Sequence, residues 1–261
     1  MARRFSSFTP SVAVVTGAAS GIGELEVTRL RAAGVRVVGG DRNPAVASML
    51  SADQGFIGVA GDVTDATYVQ SLVDLAEARF GSVDLLFHSA GIMPAGRIAD
   101  LSSDSILGVM SVNYAGTVHA IKAVLPGMQQ RRRGRIIVLG SLTGYVPTAG
   151  FAGYSASKSA VNTLVETLAH EEAPNGVQVL LVAPNAVKTP LLRQATGGPK
   201  AIAALAHKEK SPLMITPEKV LDDIDRALYR GKSVVVPGGI APYLLRRISP
   251  RATWVLSAIL G

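Results

Sequence analysis

Apolar positions along the chain follow two alternating patterns. One is a short, near-continuous run of β-branched residues; the other is a longer stretch with apolar residues every three or four positions. The first pattern predicts strands at 12–15, 35–41, 56–60, 83–88, 135–139, 177–182 and 233–236. The second predicts helices at 22–33, 67–80, 103–129, 154–170 and 218–229, with Gly34 and Gly81 at helix-terminating positions. Strands without an apolar–polar alternation are strands covered on both faces, which is how parallel sheets between two helical layers read. The expected fold is therefore α/β, a single-domain doubly wound seven-stranded parallel sheet with helices on both faces, spanning 1–261. Residues 1–10 read as an N-terminal extension. The stretch 189–216, rich in Gly, Pro, Ala and Lys, breaks the alternation and reads as a substrate lid, with a short helix expected at 201–210. Residues 238–261 form an apolar and basic C-terminal segment.

Composition narrows the possible chemistry. The chain has 261 residues, 48% of them apolar and 17% charged, which suits one large core. Its 27 glycines and 14 prolines are scattered, so collagen-like and low-complexity readings fall away. With no cysteine, disulfides, thiolate metal sites and cysteine nucleophiles are excluded. No pair of the four histidines has a metal-ligand spacing, so no metal is expected.

A net charge of +7 invites a nucleic-acid reading, but its distribution argues against one. After Asp225 there is no acid, while Arg226, Arg230, Lys232, Arg246, Arg247 and Arg251 supply bases; a second cluster is Arg131, Arg132, Arg133 and Arg135. Neither cluster is interleaved with aromatic residues that would stack on bases, so no nucleic-acid partner is expected and the arginine run reads as a solvated turn. The basic N-terminus lacks the apolar core of a signal peptide and is expected to stay in the mature protein. In the C-terminal segment the apolar-rich stretch after Arg251 is about nine residues, against roughly 20 for a membrane span. That segment either packs on another subunit or over the pocket, or it lies on an anionic membrane surface. The expected location is the cytoplasm, with peripheral membrane contact through this segment as the alternative.

The turn after the first strand reads Thr16-Gly17-Ala-Ala-Ser20-Gly21-Ile22-Gly23. Glycines there allow backbone to approach a phosphate, the following helix N-terminus offers free N–H groups, and Ser20 adds a hydroxyl. On its own the triplet also fits an ordinary tight turn. Asp41, ending the second strand, stands where a carboxylate accepts the adenosine ribose hydroxyls. A carboxylate there repels a 2′-phosphate and favours NAD, while Arg42 beside it keeps NADP open. Asp62 fits an adenine contact or a cap on the next helix.

Tyr154 and Lys158 lie at i and i+4, on one helix face. A cation near a phenol stabilises the phenolate and lowers its pKa by roughly 1 to 3 units, which turns a tyrosine into a usable proton shuttle. Ser141 follows the fifth strand, at the carboxyl edge where doubly wound folds bind ligands, and its hydroxyl can polarise a carbonyl. Asn113 is a polar amide in an apolar helix and needs partners, for which a water relay is expected.

Taken together, Thr16-Gly17-xxx-Gly21-x-Gly23, Asp62, Asn113, Ser141, Tyr154-xxx-Lys158 and Pro184-xxxx-Thr189 resemble the short-chain dehydrogenase/reductase family, in its classical form, along nearly the whole chain. The resemblance implies a Rossmann fold and hydride transfer between a nicotinamide and a carbinol or carbonyl carbon. Tyr154 would be the general acid/base, Ser141 would orient the substrate oxygen, Lys158 would hold the nicotinamide ribose, and Asn113 would anchor the relay water. Thr189 and the backbone at Val187 would meet the carboxamide. Ile22, Val63, Ala90, Gly91 and Pro184 would complete the cofactor contacts. Ile92, Met93, Leu142, Val146, Leu191 and Leu192 would line an apolar pocket, which suits a small hydrophobic secondary alcohol or ketone, with lipid- or steroid-like compounds included by analogy. A homodimer or homotetramer is implied as well.

Two departures stand beside this. His88-Ser89 replaces the usual Asn-Asn before Ala90-Gly91, with His88 expected to bond neighbouring strands. Asn185 replaces a glycine, and is expected to keep the turn by tolerating positive φ. These departures prompt a second reading, a catalytically idle NAD(P)-binding sensor or scaffold, against which the retained Asn113, Ser141, Tyr154 and Lys158 count. An extended-type sugar-nucleotide epimerase would need different glycine spacing.

Overall fold

The computed structural model describes residues 8–195, 214–239 and Leu244. The helix expected at 201–210, most of the lid and nearly all of the C-terminal segment lie outside the described residues.

Seven strands form one parallel sheet: β1 (Val12–Thr16), β2 (Arg36–Asp41), β3 (Phe56–Ala60), β4 (Leu85–His88), β5 (Gly134–Leu139), β6 (Val177–Val182) and β7 (Val234–Val235), in the order β3-β2-β1-β4-β5-β6-β7. Among the described residues six helices cover it: α1 (Gly21–Ala32), α2 (Ala66–Phe80), α3 (Ser103–Met110), α4 (Gly116–Arg131), α5 (Ala152–Glu172) and α6 (Pro217–Tyr229). The side-chain period of two divides the strand residues between two cores. Val14, Val38, Leu86, Ile136, Val138 and Leu181 pack under α2, α4 and α5; Ala13, Val15, Val37, Leu85, Phe87, Ile137 and Leu180 pack under α1 and α6. Both faces are buried, which is why these strands read as continuous apolar runs.

Strand order reverses between β1 and β4, and the crevice outside their carboxyl ends is where a fold of this topology binds ligands. Helix starts follow their caps: Asp65 accepts from Thr67 N before α2, Ser102 from Ser105 N before α3, and Thr216 from Lys219 N before α6.

Three features depart from the sequence reading. The helix expected at 103–129 is interrupted by a π turn at Ser111–Ala115, and it continues to Arg131. The strand expected from 83 starts at Leu85, although Asp84 N still donates to Val12 O and Asp84 O accepts Arg135 N, while the Asp84 carboxylate accepts Ser11 N. The arginine run is not simply solvated. Arg131 donates to Val83 O, Arg132 to Pro174 O, and Arg133 faces Asp84 at 3.6 Å. Arg133 and Arg135 both stand over the Phe8 ring, at 5.0 and 4.6 Å, so the cluster fastens the start of the described chain to the amino edge of the sheet.

Candidate active site

The carboxyl ends of β1, β2, β4, β5 and β6 open on a cavity of about 840 Å³. Gly17, Ser20, Gly21, Ile22, Gly23, Asp41, Arg42, Asp62, Val63, Ala90, Gly91, Pro184, Val187 and Thr189 line one part. Ile92, Met93, Ser141, Leu142, Val146, Tyr154, Leu191 and Leu192 line the rest. Of the residues singled out in the sequence, Thr16, His88, Asn113 and Lys158 stand behind its wall.

The glycine loop is shaped by close approach. Gly17 has φ +71°, and a Cβ on it would stand 2.7 Å from Ala90 N; a Cβ on Gly23 would stand 2.1 Å from Gly17 O. Ser20 is the N-cap of α1, yet its side chain makes no capping bond, so hydroxyl and helix N-terminus are both available to an anion. Asp41 accepts Ala19 N at 3.0 Å through Oδ2 and Asn43 N at 2.8 Å through Oδ1, which ties the end of β2 to the loop. Asp62 accepts Thr64 N at 2.9 Å, and the helix cap is Asp65. This cradle fits a dinucleotide: a compact loop with no Cβ at positions 17, 21 and 23, amides at a helix start, and a carboxylate at the far end.

Ser141 follows β5 in extended conformation and begins a turn at Leu142–Gly144. Its Oγ accepts Thr143 N at 3.2 Å and lies 2.9 Å from Thr143 Oγ1. Tyr154 is buried, packed edge-on against Phe151 with ring centroids 6.4 Å apart. Burial pushes its phenol up to about 12, against a downward pull from its hydrogen bond with Ser141. The lowering expected from Lys158 does not occur. Lys158 Nζ donates to Leu139 O at 2.7 Å and stands 5.9 Å from the Tyr154 ring centroid, and burial brings the ammonium down to about 8.

Asn113 sits in the π turn, fully buried, with its side-chain amide held by protein groups. Its Oδ1 accepts Ile92 N at 2.8 Å, and its Nδ2 donates to Ile92 O at 3.0 Å and to Ser157 Oγ at 2.9 Å. The Asn113 backbone carbonyl accepts Thr117 Oγ1 at 2.6 Å.

His88 does bond a neighbouring strand, with Nδ1 2.7 Å from Thr16 Oγ1. Ser89 Oγ donates to Thr16 O at 2.7 Å. Asn185 does not adopt positive φ, since among the described non-glycine residues only Leu50 and Arg132 do. Its N–H donates to Pro237 O and its Oδ1 accepts Ala186 N, while Gly238 beside it takes φ +91°.

The outer pocket is apolar. Met93, Ala95, Phe151, Tyr154, Leu192 and Ala195 form one buried cluster. Sequence reasoning missed Thr143, Thr148, Phe151 and Gln194 among the lining residues. Gln194 Oε1 accepts Met93 N at 3.0 Å, fastening the start of the insertion to the loop after β4. No local pattern signals a contact between positions so far apart in the chain. Among the described residues no cluster of three or more metal-ligating side chains occurs, and no helix is long and apolar enough to cross a membrane.

A doubly wound sheet with this glycine loop and this serine–tyrosine–lysine arrangement defines a class, and the chain belongs to the short chain dehydrogenase family, whose model matches residues 11–199. It is 38% identical over 185 residues to an uncharacterized oxidoreductase of Staphylococcus aureus, covering 69% of this chain and 80% of the relative. A similar oxidoreductase of Staphylococcus saprophyticus is 36% identical over 208 residues, covering 75% and 88%. Among solved structures, a short-chain dehydrogenase/reductase from Burkholderia phymatum in complex with NAD superposes with a TM-score of 0.79 at 25% identity, covering 95% of this chain and 96% of that one. A short-chain dehydrogenase from Streptomyces avermitilis gives 0.79 at 27% identity, covering 97% and 96%.

Proposed function

We propose that the protein is a dehydrogenase that moves a hydride between NAD and a hydrophobic secondary alcohol or ketone, with Tyr154 as general acid/base. The observation that carries this reading is that Ser141 and Tyr154 line the same cavity as the glycine cradle, with the Lys158 ammonium 5.9 Å from the Tyr154 ring centroid.

In oxidation, Ser141 would hold the substrate hydroxyl while Tyr154 takes its proton; in reduction, Tyr154 would return a proton to the forming alkoxide. When bound, the nicotinamide supplies the hydride acceptor or donor. Lys158 would hold the nicotinamide ribose, and Thr189 and Val187 the carboxamide. Asn113 would act from behind the wall by fixing Ile92, and with it the loop after β4 that bears Ala90 and Gly91. Asp41 supports NAD over NADP: its carboxylate already occupies the Ala19 amide, so that donor is taken and a 2′-phosphate would meet negative charge. The apolar cluster around Met93, Phe151 and Leu192 supports a hydrophobic substrate.

NADH formation from a panel of hydrophobic secondary alcohols, read at about pH 9 where uptake of the released proton by the medium favours oxidation, tests the reading. Turnover is expected, with a loss of at least about a hundredfold in Tyr154→Phe. Tight NADH binding without turnover of any alcohol supports the idle sensor instead.

A further inference from the structure

Asn162 lies on α5 one turn beyond Lys158 and two beyond Tyr154, so the three side chains share a helix face. It is 1% exposed, and its amide grips a single residue. Nδ2 donates to Ser141 O at 3.0 Å and Oδ1 accepts Ser141 N at 3.4 Å. The turn is built to admit it. A Cβ on Gly140 would stand 2.1 Å from Asn162 Oδ1, and one on Gly144 would stand 2.5 Å from Nδ2.

Sheet geometry explains why such a clamp is needed. Beyond β5 the even-numbered residues bond toward β6, with Gly140 N donating to Val182 O and Leu142 N to Pro184 O. Leu139 and Ser141 therefore point their backbone groups toward β4, which has already ended at His88, opposite Val138. Lys158 Nζ takes Leu139 O, and the Asn162 amide takes both groups of Ser141. Side chains of α5 thus occupy the places that a longer β4 would fill. Ser159 adds a third grip, donating to Gly144 O at 2.7 Å.

We infer that Asn162 is a positioning residue for the reaction: by holding the Ser141 backbone from the helix that also carries Tyr154, it sets the Ser141 hydroxyl against the Tyr154 hydroxyl. The inference rests on the dehydrogenase reading, in which those two groups share the substrate oxygen. Tyrosine and clamp move together on one rigid element, so the separation is gauged by α5 rather than by the turn at 142–144.

The test uses the full chain with Asn162→Ala and with Asn162→Asp, which keeps the size and the acceptor but loses the donor to Ser141 O. With an alcohol that the wild type oxidises, kcat is expected to fall about tenfold to a hundredfold while KM for NAD holds, since small displacements of reacting groups act on kcat. The acidic limb of the oxidation pH profile, which requires Tyr154 ionised, is expected to move upward, because Ser141 no longer draws the Tyr154 phenol down. In a Ser141→Ala background, Asn162→Ala is expected to change kcat by no more than about twofold, as required if it acts through Ser141. A lowered melting temperature with unmoved kcat and pH limb, or a full effect in the Ser141→Ala background, overturns the inference. If no alcohol is turned over by the wild type, the dehydrogenase reading fails first. Asn162 is then judged with Cζ-labelled tyrosine by NMR: a Tyr154 midpoint higher in either variant supports the clamp, and an unchanged midpoint overturns it.

Discussion

His88 illustrates how a single buried side chain can couple the site to pH. Burial, and secondarily the charge of Lys158, bring its imidazole down to about 3, so it is neutral in the native protein down to strongly acidic conditions. In the unfolded chain a histidine titrates near 6.5, so between about 6.5 and 3 the unfolded state binds more protons and stability falls as pH falls. Replacing His88 with Asn removes that dependence while keeping a partner for Thr16. Urea midpoints of wild type and His88→Asn are expected to converge, or to cross in favour of the variant, on going from about pH 7 to about pH 4. Parallel midpoints would show that the imidazole is not the titrating group.

At the scale of elements, α1 and α6 meet through an ion pair between Arg29 and Asp225, and Glu26 lies beside it. Burial raises the Glu26 carboxyl to about 7, Arg29 lowers it and Asp225 raises it further. The native state then binds more protons than the unfolded state between about 4.5 and 7, so this contribution is present below that window and is lost as pH rises through it. Glu26→Gln is expected to raise the melting temperature at about pH 8 and to leave it nearly unchanged at about pH 4. The elements themselves were largely legible in the sequence because burial on both faces leaves β-branched runs and packing on one face leaves a helical period. The π turn was not legible. Asn113 leaves the α-helical pattern for Ile92 and Ser157, which reach it only after β4 and α5 are in place. In the same way, Ser141, Tyr154 and Lys158 were readable from motif spacing, whereas the direction of the Lys158 ammonium was set by a carbonyl left over at the end of β5.

For the whole molecule, the positive charge has two destinations. Arg131, Arg132, Arg133 and Arg135 are fastened to backbone carbonyls, Asp84, Gln178 and the Phe8 ring at the amino edge of the sheet, far less available to a partner than their run suggests. The bases after Asp225 remain the candidates for contact with an anionic surface. Deleting residues 241–261 is expected to reduce sedimentation with anionic vesicles, most clearly at low salt, where surface attraction is least screened. Equal partitioning of the two forms counts against a membrane role for the segment.

The π turn at Ser111–Ala115 has a further consequence for this architecture. Each residue of an α-helix turns the chain by about 100°, so the turn works as a phase adjuster between two shafts. Upstream, α3 is set against α5; downstream, α4 presents Ala120, Val124 and Met128 to the core under α2. Removing one residue from 111–115 would restore regular winding and rotate one shaft against the other, carrying those side chains off their seats. Between Ser103 and Arg131 the number of residues is itself a structural constraint, tighter than the identity of most of them.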